Sequence, residues 1–373
     1  MPKVGKNIYK RKDGRWEGRY IKEKINGKAK YASVYASSVT EVRRKLDAAK
    51  KDVENKMTFE KKVGIVSEIS SLWLTEVSPD LKESSIIKYE SILRNYILPE
   101  FGDREFSDIT NEDMISFVAN LRKSGGVNQE GLAPSTVSEI VTTLNSMRIF
   151  AIRRDYIVRF NPECVTIKRD QHKIRVFSVA EEKRLIDYLN ENINLTSIGI
   201  MICLYTGIRI GELCALRWED INLKEKTMSI TKTMQRLRVK GNEDKKTEVK
   251  ILMPKSAHSI RTIPIPDVLV KLLTEYQSSE GYVLTGDKEN FVEPRTLQKR
   301  FKRILKKCNI EDAKFHTTRH TFATRCVELN FDTKTLSEIL GHSSVTITLN
   351  KYVHPTMQHK AENMNRFTGL FDN

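Results

Sequence analysis

The sequence predicts a multi-domain chain in three parts. These are an N-terminal three-stranded β-sheet plus helix, an all-α middle domain, and a mixed, mainly-α C-terminal domain with a small antiparallel sheet. Three observations predict this. The chain has 373 residues, and at roughly 100–200 residues per domain that length holds two or three domains. Hydrophobic residues make up 39% and charged residues 30%, too apolar for a disordered chain and too charged for a membrane protein. The patterning also changes twice, from aromatic and β-branched runs to helical spacing, and then to a mixture of both. The expected boundaries are residues 1–60, 63–162 and 174–373.

In the first part, Asn7–Tyr9, Arg15–Ile21 and Lys30–Tyr35 are short runs rich in aromatic and β-branched residues. Asp13-Gly14 and Asn26-Gly27 separate them, dipeptides that supply the positive φ of tight hairpin turns. Ser38-Val39-Thr40-Glu41 has the spacing of a capping box, and Val42, Leu46, Ala49 and Val53 then share one helical face. On the second strand Trp16, Gly18 and Tyr20 fall on one face, with Arg15, Glu17 and Arg19 on the other. Residues 1–60 hold 17 basic and 8 acidic side chains, residues 61–170 hold 14 and 16, and the remainder 33 and 24. More than half of the +16 net charge therefore lies in the first sixth of the chain. A folded basic module of this kind reads as a polyanion-binding arm rather than a solubilising tail. A sheet with one basic face is of a size to enter a DNA major groove; Arg15, Arg19, Lys28 and Lys30 are its candidate DNA contacts.

From Ile65 to Phe160 the spacing is helical. Ile86, Tyr89, Leu93, Tyr96 and Ile97 form one apolar stripe that stops at Pro99 and Gly102. A second helix starts at Thr110, with Asp113 three residues on, and ends before Gly125-Gly126. A third runs from Pro134 to Arg154. Asn161-Pro162 and the polar stretch 168–173 read as a linker. Beyond Phe177, helices are expected over 179–190, 195–205, 267–277, 296–308, 320–330 and 333–340. Strands are expected over 228–232, 249–253 and 260–265, with a polar hairpin excursion at Gln235–Lys250.

Several function classes are disfavoured. No run approaches the ~20 apolar residues of a spanning helix, and the N-terminus lacks a signal peptide's apolar stretch, so a cytoplasmic location is expected. Five cysteines without a Cys-x-x-Cys pair speak against a disulfide framework or zinc cluster. Five of the seven histidines (His316, His320, His342, His354, His359) fall in the last 58 residues, which first suggests a metal. His-Glu-x-x-His is missing, however, and the cysteines sit in apolar contexts, so neither metal nor cofactor is expected. His320 reads as packing or bonding locally rather than reacting; His258, His354 and His359 read as surface.

The histidines belong instead to a longer pattern. Tyr205-Thr206-Gly207-Ile208-Arg209-Ile210-Gly211-Glu212-Leu213 is followed by Phe315-His316-Thr317-Thr318-Arg319-His320, then Leu340-Gly341-His342 and Tyr352. In this order the motifs resemble those of the tyrosine recombinases, the phage-integrase family, and the resemblance spans the whole chain. The helical middle looks like the family's core-binding domain. The basic sheet looks like the arm-binding domain of integrases from conjugative transposons.

The resemblance implies an enzyme that cuts and rejoins DNA through a 3′-phosphotyrosyl link, and it assigns roles. Arg209 and Arg319 match the two arginines that grip the scissile phosphate, where planar, permanently charged forks suit two non-bridging oxygens. Tyr352 matches the nucleophile, ahead of the rival aromatics Tyr205 and Tyr282, because only it follows Leu-Gly-His by about ten residues. His316 matches the general acid/base, and His342 a hydrogen-bond donor to phosphate. Lys255 matches the hairpin lysine that protonates the 5′-oxygen, with Lys245, Lys246 and Lys250 as rivals nearby. Glu212 matches a buttressing acid.

Implied partners are double-stranded DNA at core and arm sites, a homo-tetramer exchanging strands through a Holliday junction, and an accessory excision factor. The tail from Val353 to Asn373, with Met364, Phe367, Leu370 and Phe371, is expected to pack on a neighbouring protomer. Rival readings are a type IB topoisomerase, a catalytically silent DNA-binding regulator, and dimer resolution at cell division. A basic arm that neutralises several phosphates binds DNA with steep salt dependence. Raising salt from 50 to 200 mM is therefore expected to weaken duplex binding by roughly a thousandfold or more. A flat salt profile in a fluorescence-anisotropy titration would count against the arm.

Overall fold

The computed structural model describes residues 7–25, 28–59, 62–126, 128–168, 174–239, 247–254 and 257–353. It divides into two compact units, residues 1–170 and 171–373.

The first unit holds two separate hydrophobic cores. The smaller belongs to an antiparallel sheet of β1 (Ile8–Lys10), β2 (Trp16–Ile25) and β3 (Lys28–Ala36), in that order, backed by α1 (Val39–Phe59). The strand alternation lies as the sequence predicts, with Trp16, Tyr20 and Val34 packing with Ile8, Ala36, Val42 and Leu46. Gly14 takes φ 88° in the first turn, and the Ser38 hydroxyl accepts the Glu41 N–H at 3.2 Å at the start of α1. The second turn, Asn26-Gly27, lies outside the described residues.

The larger core is helical: α2 (Val66–Val77), α3 (Glu83–Ile92), α4 (Leu98–Phe101), α5 (Asn111–Ser124) and α6 (Pro134–Arg153). Thr110 and Asp113 form the reciprocal cap of α5, and the Trp73 indole N–H donates to Ser146 at 3.1 Å. The helical path passes through a π-type turn at Leu93–Ile97 into α4 and ends at Gly102, as expected, with Pro99 inside it rather than at its stop. Pro99 lies just after the π-type turn, in the first residues of α4.

The second unit packs α7 (Val179–Glu191), α8 (Leu195–Thr206) and α9 (Ile210–Ala215) with two small sheets. One is antiparallel, in the order β4 (Ile221–Asn222), β5 (Thr227–Ile230), β8 (Arg261–Pro264). The other is a separate hairpin of β6 (Thr233–Arg238) and β7 (Thr247–Leu252). The single sheet expected is thus two, and the polar excursion is the hairpin β6–β7. Helices α10 (Asp267–Tyr276), α11 (Pro294–Lys307), α12 (His316–Glu328), α13 (Thr333–Leu340) and α14 (Val345–Tyr352) complete the unit.

One helix starts earlier than expected, and another, α14, lies where no element was expected. α12 begins at His316, not His320, through a threonine-rich turn of poor helix propensity. There Thr318 and Thr321 donate to the carbonyls of Phe315 (2.8 Å) and Thr317 (2.9 Å), and the Thr321 hydroxyl also accepts the Phe177 N–H. α14 reads as β-prone in Val-Thr-Ile-Thr. It is helical because Ser344 caps it and because buried Thr348 and Tyr352 anchor it to the unit.

Gly207 ends α8 in the left-handed conformation, φ 67°. A β-carbon there would lie 2.4 Å from the Phe322 ring and 2.9 Å from Leu340. Gly207→Ala combines backbone strain with overpacking and is expected to destabilise the second unit by about 3 kcal/mol. Urea denaturation followed by far-UV circular dichroism measures it; an unshifted midpoint would contradict this packing.

Candidate active site

Four short segments of the second unit build the site: the α8–α9 turn, β8, the first turns of α12, and the chain from the end of α13 through α14. The local reason begins at Arg209, the N-cap residue of α9. Glu212, three residues on, reaches back so that its Oε2 accepts the Arg209 N–H at 2.9 Å, while Oε1 accepts from the guanidinium at 2.7 Å. The same carboxylate, 3% exposed, is gripped by Arg261 of β8 at 2.9 and 3.2 Å. Burial drives the Glu212 pKa up, but the hydrogen bonds and charge of Arg261 and the charge of Arg209 outweigh it and hold it below the ordinary value.

The arginines also meet the end of α13. Arg261 Nε donates to the Ile339 carbonyl (2.6 Å), Arg319 Nη2 to that of Leu340 (2.7 Å) and Arg209 Nη2 to that of Gly341 (3.2 Å). These are last-turn carbonyls, which lack intrahelical partners and carry the negative end of the helix dipole. Gly341 closes the helix at φ 64°, turning the chain so that His342 follows directly. Arg319, 1% exposed, donates in addition to the Gly207 carbonyl at 2.8 Å. Burial and the neighbouring Arg209 lower its pKa to about 9, which leaves the guanidinium charged at neutral pH. Each guanidinium has five N–H donors, so these bonds do not exhaust them.

Tyr352 ends α14, 7% exposed, its ring within a small core of Ala323, Cys326, Leu336 and Leu340. Its hydroxyl lies 2.8 Å from His320 Nδ1, and its ring lies parallel to His342 with centroids 6.4 Å apart. Burial raises the phenol pKa; Arg319 and Arg209 pull against that rise. His316 meets His320 edge to face at 4.6 Å and keeps an exposed edge. His342 Nδ1 is 2.8 Å from the buried Thr348 hydroxyl. Burial above all, then the surrounding cations, lowers the pKa of His316 and His320 to about 4 and that of His342 to about 3.

The structure therefore brings together Arg209, Glu212, His316, Arg319, His342 and Tyr352, though they span 144 positions of sequence. Lys255 lies outside the described residues, as do His354, His359 and the tail beyond Val353. Two participants escaped the sequence reading. Arg261 stood only in a strand pattern, and His320 read as packing or bonding locally, whereas its bond reaches the Tyr352 hydroxyl 32 positions away. Spacing signals neither, since both contacts are tertiary. Among the described residues no cluster of His, Cys, Asp and Glu is arranged to hold a metal ion, the five cysteines are unpaired, and no helix is long and apolar enough to cross a membrane.

On the N-terminal sheet, Arg15 precedes β2 rather than lying in it and pairs with Asp13 at 2.7 Å. Arg19 Nε donates to Glu17 at 2.9 Å, and Arg11 reaches the same carboxylate at 3.0 Å. Glu17 is buried under them, its pKa lowered foremost by Arg19. Arg15 and Arg19 stack over Tyr35 and Tyr9. Lys30 is exposed; the Lys28 side chain lies outside the described residues.

Comparison with known proteins gives the same outline. Residues 175–359 match the phage integrase family, and residues 65–122 match the phage integrase N-terminal SAM-like domain. A XerC-like tyrosine recombinase of Caldanaerobacter subterraneus is 28% identical, covering 93% of each chain. The ICEBs1 integrase of Bacillus subtilis is 24% identical over 76% of this chain and 77% of its own. Among solved structures, the Tn1549 transposon integrase in complex with circular intermediate DNA superposes with TM-score 0.65 at 21% identity, over 80% of this chain and 99% of the other. A lambda integrase tetramer bound to a Holliday junction gives 0.57 at 15% identity, over 92% and 98%.

The three histidines carry a pH consequence. Their folded pKa values lie below the ordinary 6.5, so between about pH 6.5 and 4 the unfolded chain binds more protons and stability falls as pH falls. The thermal midpoint of the second unit is expected to drop steadily from pH 6.5 to 5, and less so in His342→Gln. An equal slope in that variant would mean His342 is not held neutral by the fold.

Proposed function

Because this chain belongs to the phage integrase family of tyrosine recombinases, enzymes that cut and rejoin DNA, we propose that it is a site-specific recombinase working through a 3′-phosphotyrosyl intermediate on Tyr352. The observation that carries the reading is the meeting of two guanidiniums, Arg209 and Arg319, with a phenol whose hydroxyl is already hydrogen-bonded.

A phosphodiester carries one negative charge, and in-line attack by the Tyr352 oxygen raises it toward two on the non-bridging oxygens. Preorganised cations stabilise that increase more than they stabilise the ground state, which is the condition for lowering the barrier. Arg209, Arg261 and Arg319 around the single carboxylate Glu212 leave a net positive site for it. In this reading His316, with its exposed edge, serves as the general acid/base, His342 bonds to a phosphate oxygen, and Lys255 gives a proton to the leaving 5′-oxygen. The phosphotyrosyl ester keeps the phosphorus–oxygen bond count, so the reverse attack by a 5′-hydroxyl needs no outside energy source.

The expected organisation is an arm-binding domain at residues 1–60, a core-binding domain at 63–162 and the catalytic domain at 174–373. On the sheet, Arg15 and Arg19 would exchange Asp13 and Glu17 for phosphates, and Lys28 and Lys30 of β3 would add further contacts. That the Tn1549 and lambda integrases sharing this fold were solved on DNA, the lambda protein as a tetramer on a Holliday junction, supports a DNA partner and a tetramer. Integration and excision of a mobile element, with an accessory factor for excision and a cytoplasmic site of action, complete the proposal.

Covalent trapping tests it. The protein is incubated in EDTA with nicked duplexes tiled across the DNA flanking its own coding sequence, quenched in detergent, and resolved by electrophoresis. A protein–DNA adduct is expected from the wild type and is lost, by a factor of at least about a thousand, in Tyr352→Phe. No adduct on any duplex, with binding intact, would leave a DNA-binding regulator; relaxation of a plasmid lacking those sequences would favour a topoisomerase.

A further inference from the structure

Thr348 of α14 is 0% exposed, and its hydroxyl stands 2.8 Å from His342 Nδ1. Helical threonines elsewhere in the second unit send their O–H to the carbonyl four residues back, as Thr206 does to Ile202 and Thr321 to Thr317. Thr348 instead reaches out of its own helix to the residue that follows Gly341 at the end of α13, and that is its hydroxyl's one hydrogen bond among the described residues. It lies one helical turn before Tyr352, so the two side chains share a face of α14. The His342 ring lies parallel to the Tyr352 ring beside them. His342 is thus held twice, its backbone N–H donating to the Ser337 carbonyl at 3.1 Å and its ring bonded to α14.

Burial fixes the direction of that bond. A hydroxyl has one hydrogen to give, and a buried O–H left without an acceptor is costly. His342 Nδ1 is the acceptor within reach, so Thr348 donates and Nδ1 accepts. Burial above all, then the charges of Arg319, Arg209, Lys351 and Arg261, keeps the ring neutral at physiological pH. A neutral imidazole carries a single N–H, which therefore sits on Nε2. Nε2 has no hydrogen-bond partner among the described residues and is not a buried atom, so it is open to a ligand.

We propose that Thr348 is a positioning residue: by donating to Nδ1 it fixes the His342 tautomer and ring orientation that present the Nε2–H to a non-bridging oxygen of the scissile phosphate. The proposal rests on the recombinase reading above, in which His342 bonds to that oxygen. The opposite tautomer would turn a lone pair toward the oxygen, and two acceptors repel. Because Thr348 and Tyr352 share one helix, the docking of α14 that brings in the nucleophile also sets the phosphate donor. A displaced α14 releases both together.

Substitutions in the full-length protein separate this role from packing. Thr348→Val keeps the branched shape and removes the O–H; Thr348→Ser keeps the O–H and drops a methyl; His342→Ala removes the group through which Thr348 acts. Single-turnover adduct formation is measured on the trapping duplex identified for the wild type, with DNA affinity measured in parallel. Nuclear magnetic resonance of protein labelled at the histidine nitrogens reports the tautomer directly, the His342 signals being assigned by their loss in His342→Gln.

Thr348→Val is expected to slow adduct formation about tenfold, the size of one hydrogen bond, without a change in DNA affinity. Thr348→Ser is expected to restore the rate, and Thr348→Val to cost nothing further in the His342→Ala background, since a residue acting through His342 has nothing left to position. The wild-type spectrum is expected to show hydrogen on Nε2 and a bare Nδ1. A wild-type rate in Thr348→Val overturns the assignment, as does an undiminished loss in the His342→Ala background or a hydrogen on Nδ1 in the wild type. No adduct from the wild type on any duplex overturns the recombinase reading and the catalytic role with it, whereas a normal wild-type adduct that Thr348→Val leaves unslowed overturns only the role of Thr348.

Discussion

Glu212 is the constraint around which the second unit's site is organised. A buried carboxylate costs several kcal/mol unless it is paired and hydrogen-bonded, and here that requirement recruits two arginines from segments 52 positions apart, Arg209 and Arg261. Those guanidiniums have donors to spare, and together with Arg319 they satisfy three successive carbonyls at the end of α13. The two left-handed glycines serve this arrangement. Gly207 presents its carbonyl to Arg319 in a space with no room for a β-carbon, and Gly341 packs against the Arg261 guanidinium while turning the chain toward His342. Through these bonds the acid sets where the guanidiniums of Arg209 and Arg261 stand.

The same logic recurs on the N-terminal sheet at lower stakes. Glu17 lies buried beneath Arg11, Arg19 and the Ser33 hydroxyl, so these guanidiniums are held in place on the face of the sheet. Solvent reaches the arginines there, and pairs of that kind contribute little to stability. What they do is limit the rotamer freedom of the guanidiniums on that face.

Much of this was legible in the sequence because the signals were local. Period-two alternation placed Trp16 and Tyr20 against α1, a Thr–Asp cap opened α5, and helical spacing found α7, α8 and α13. The motif residues Arg209, Glu212, His316, Arg319, His342 and Tyr352 were found as a pattern, and the fold makes them neighbours. The rest was hidden for physical reasons. Val345–Thr348 prefers a strand by propensity but is held helical by Ser344, Thr348 and Tyr352. The threonine-rich start of α12 is a poor helix in isolation. The bonds from Arg261 to Glu212 and from His320 to Tyr352 join residues 49 and 32 positions apart, and no spacing rule encodes a partner at that separation.

The hairpin β6–β7 shares no strand with the sheet that carries Arg261. Its base is fixed: a β-carbon on Gly211 would lie 2.8 Å from the Met234 carbonyl, so α9 and β6 approach as closely as glycine permits. Its last described rung, Arg238 with Thr247, is no part of the ladder of β4, β5 and β8. Lengthening a loop costs only about 0.6 kcal/mol per doubling. The fold thus has a place where residues can be inserted or removed over generations without shifting the register of Arg261, and so without disturbing the acid that the arginines surround.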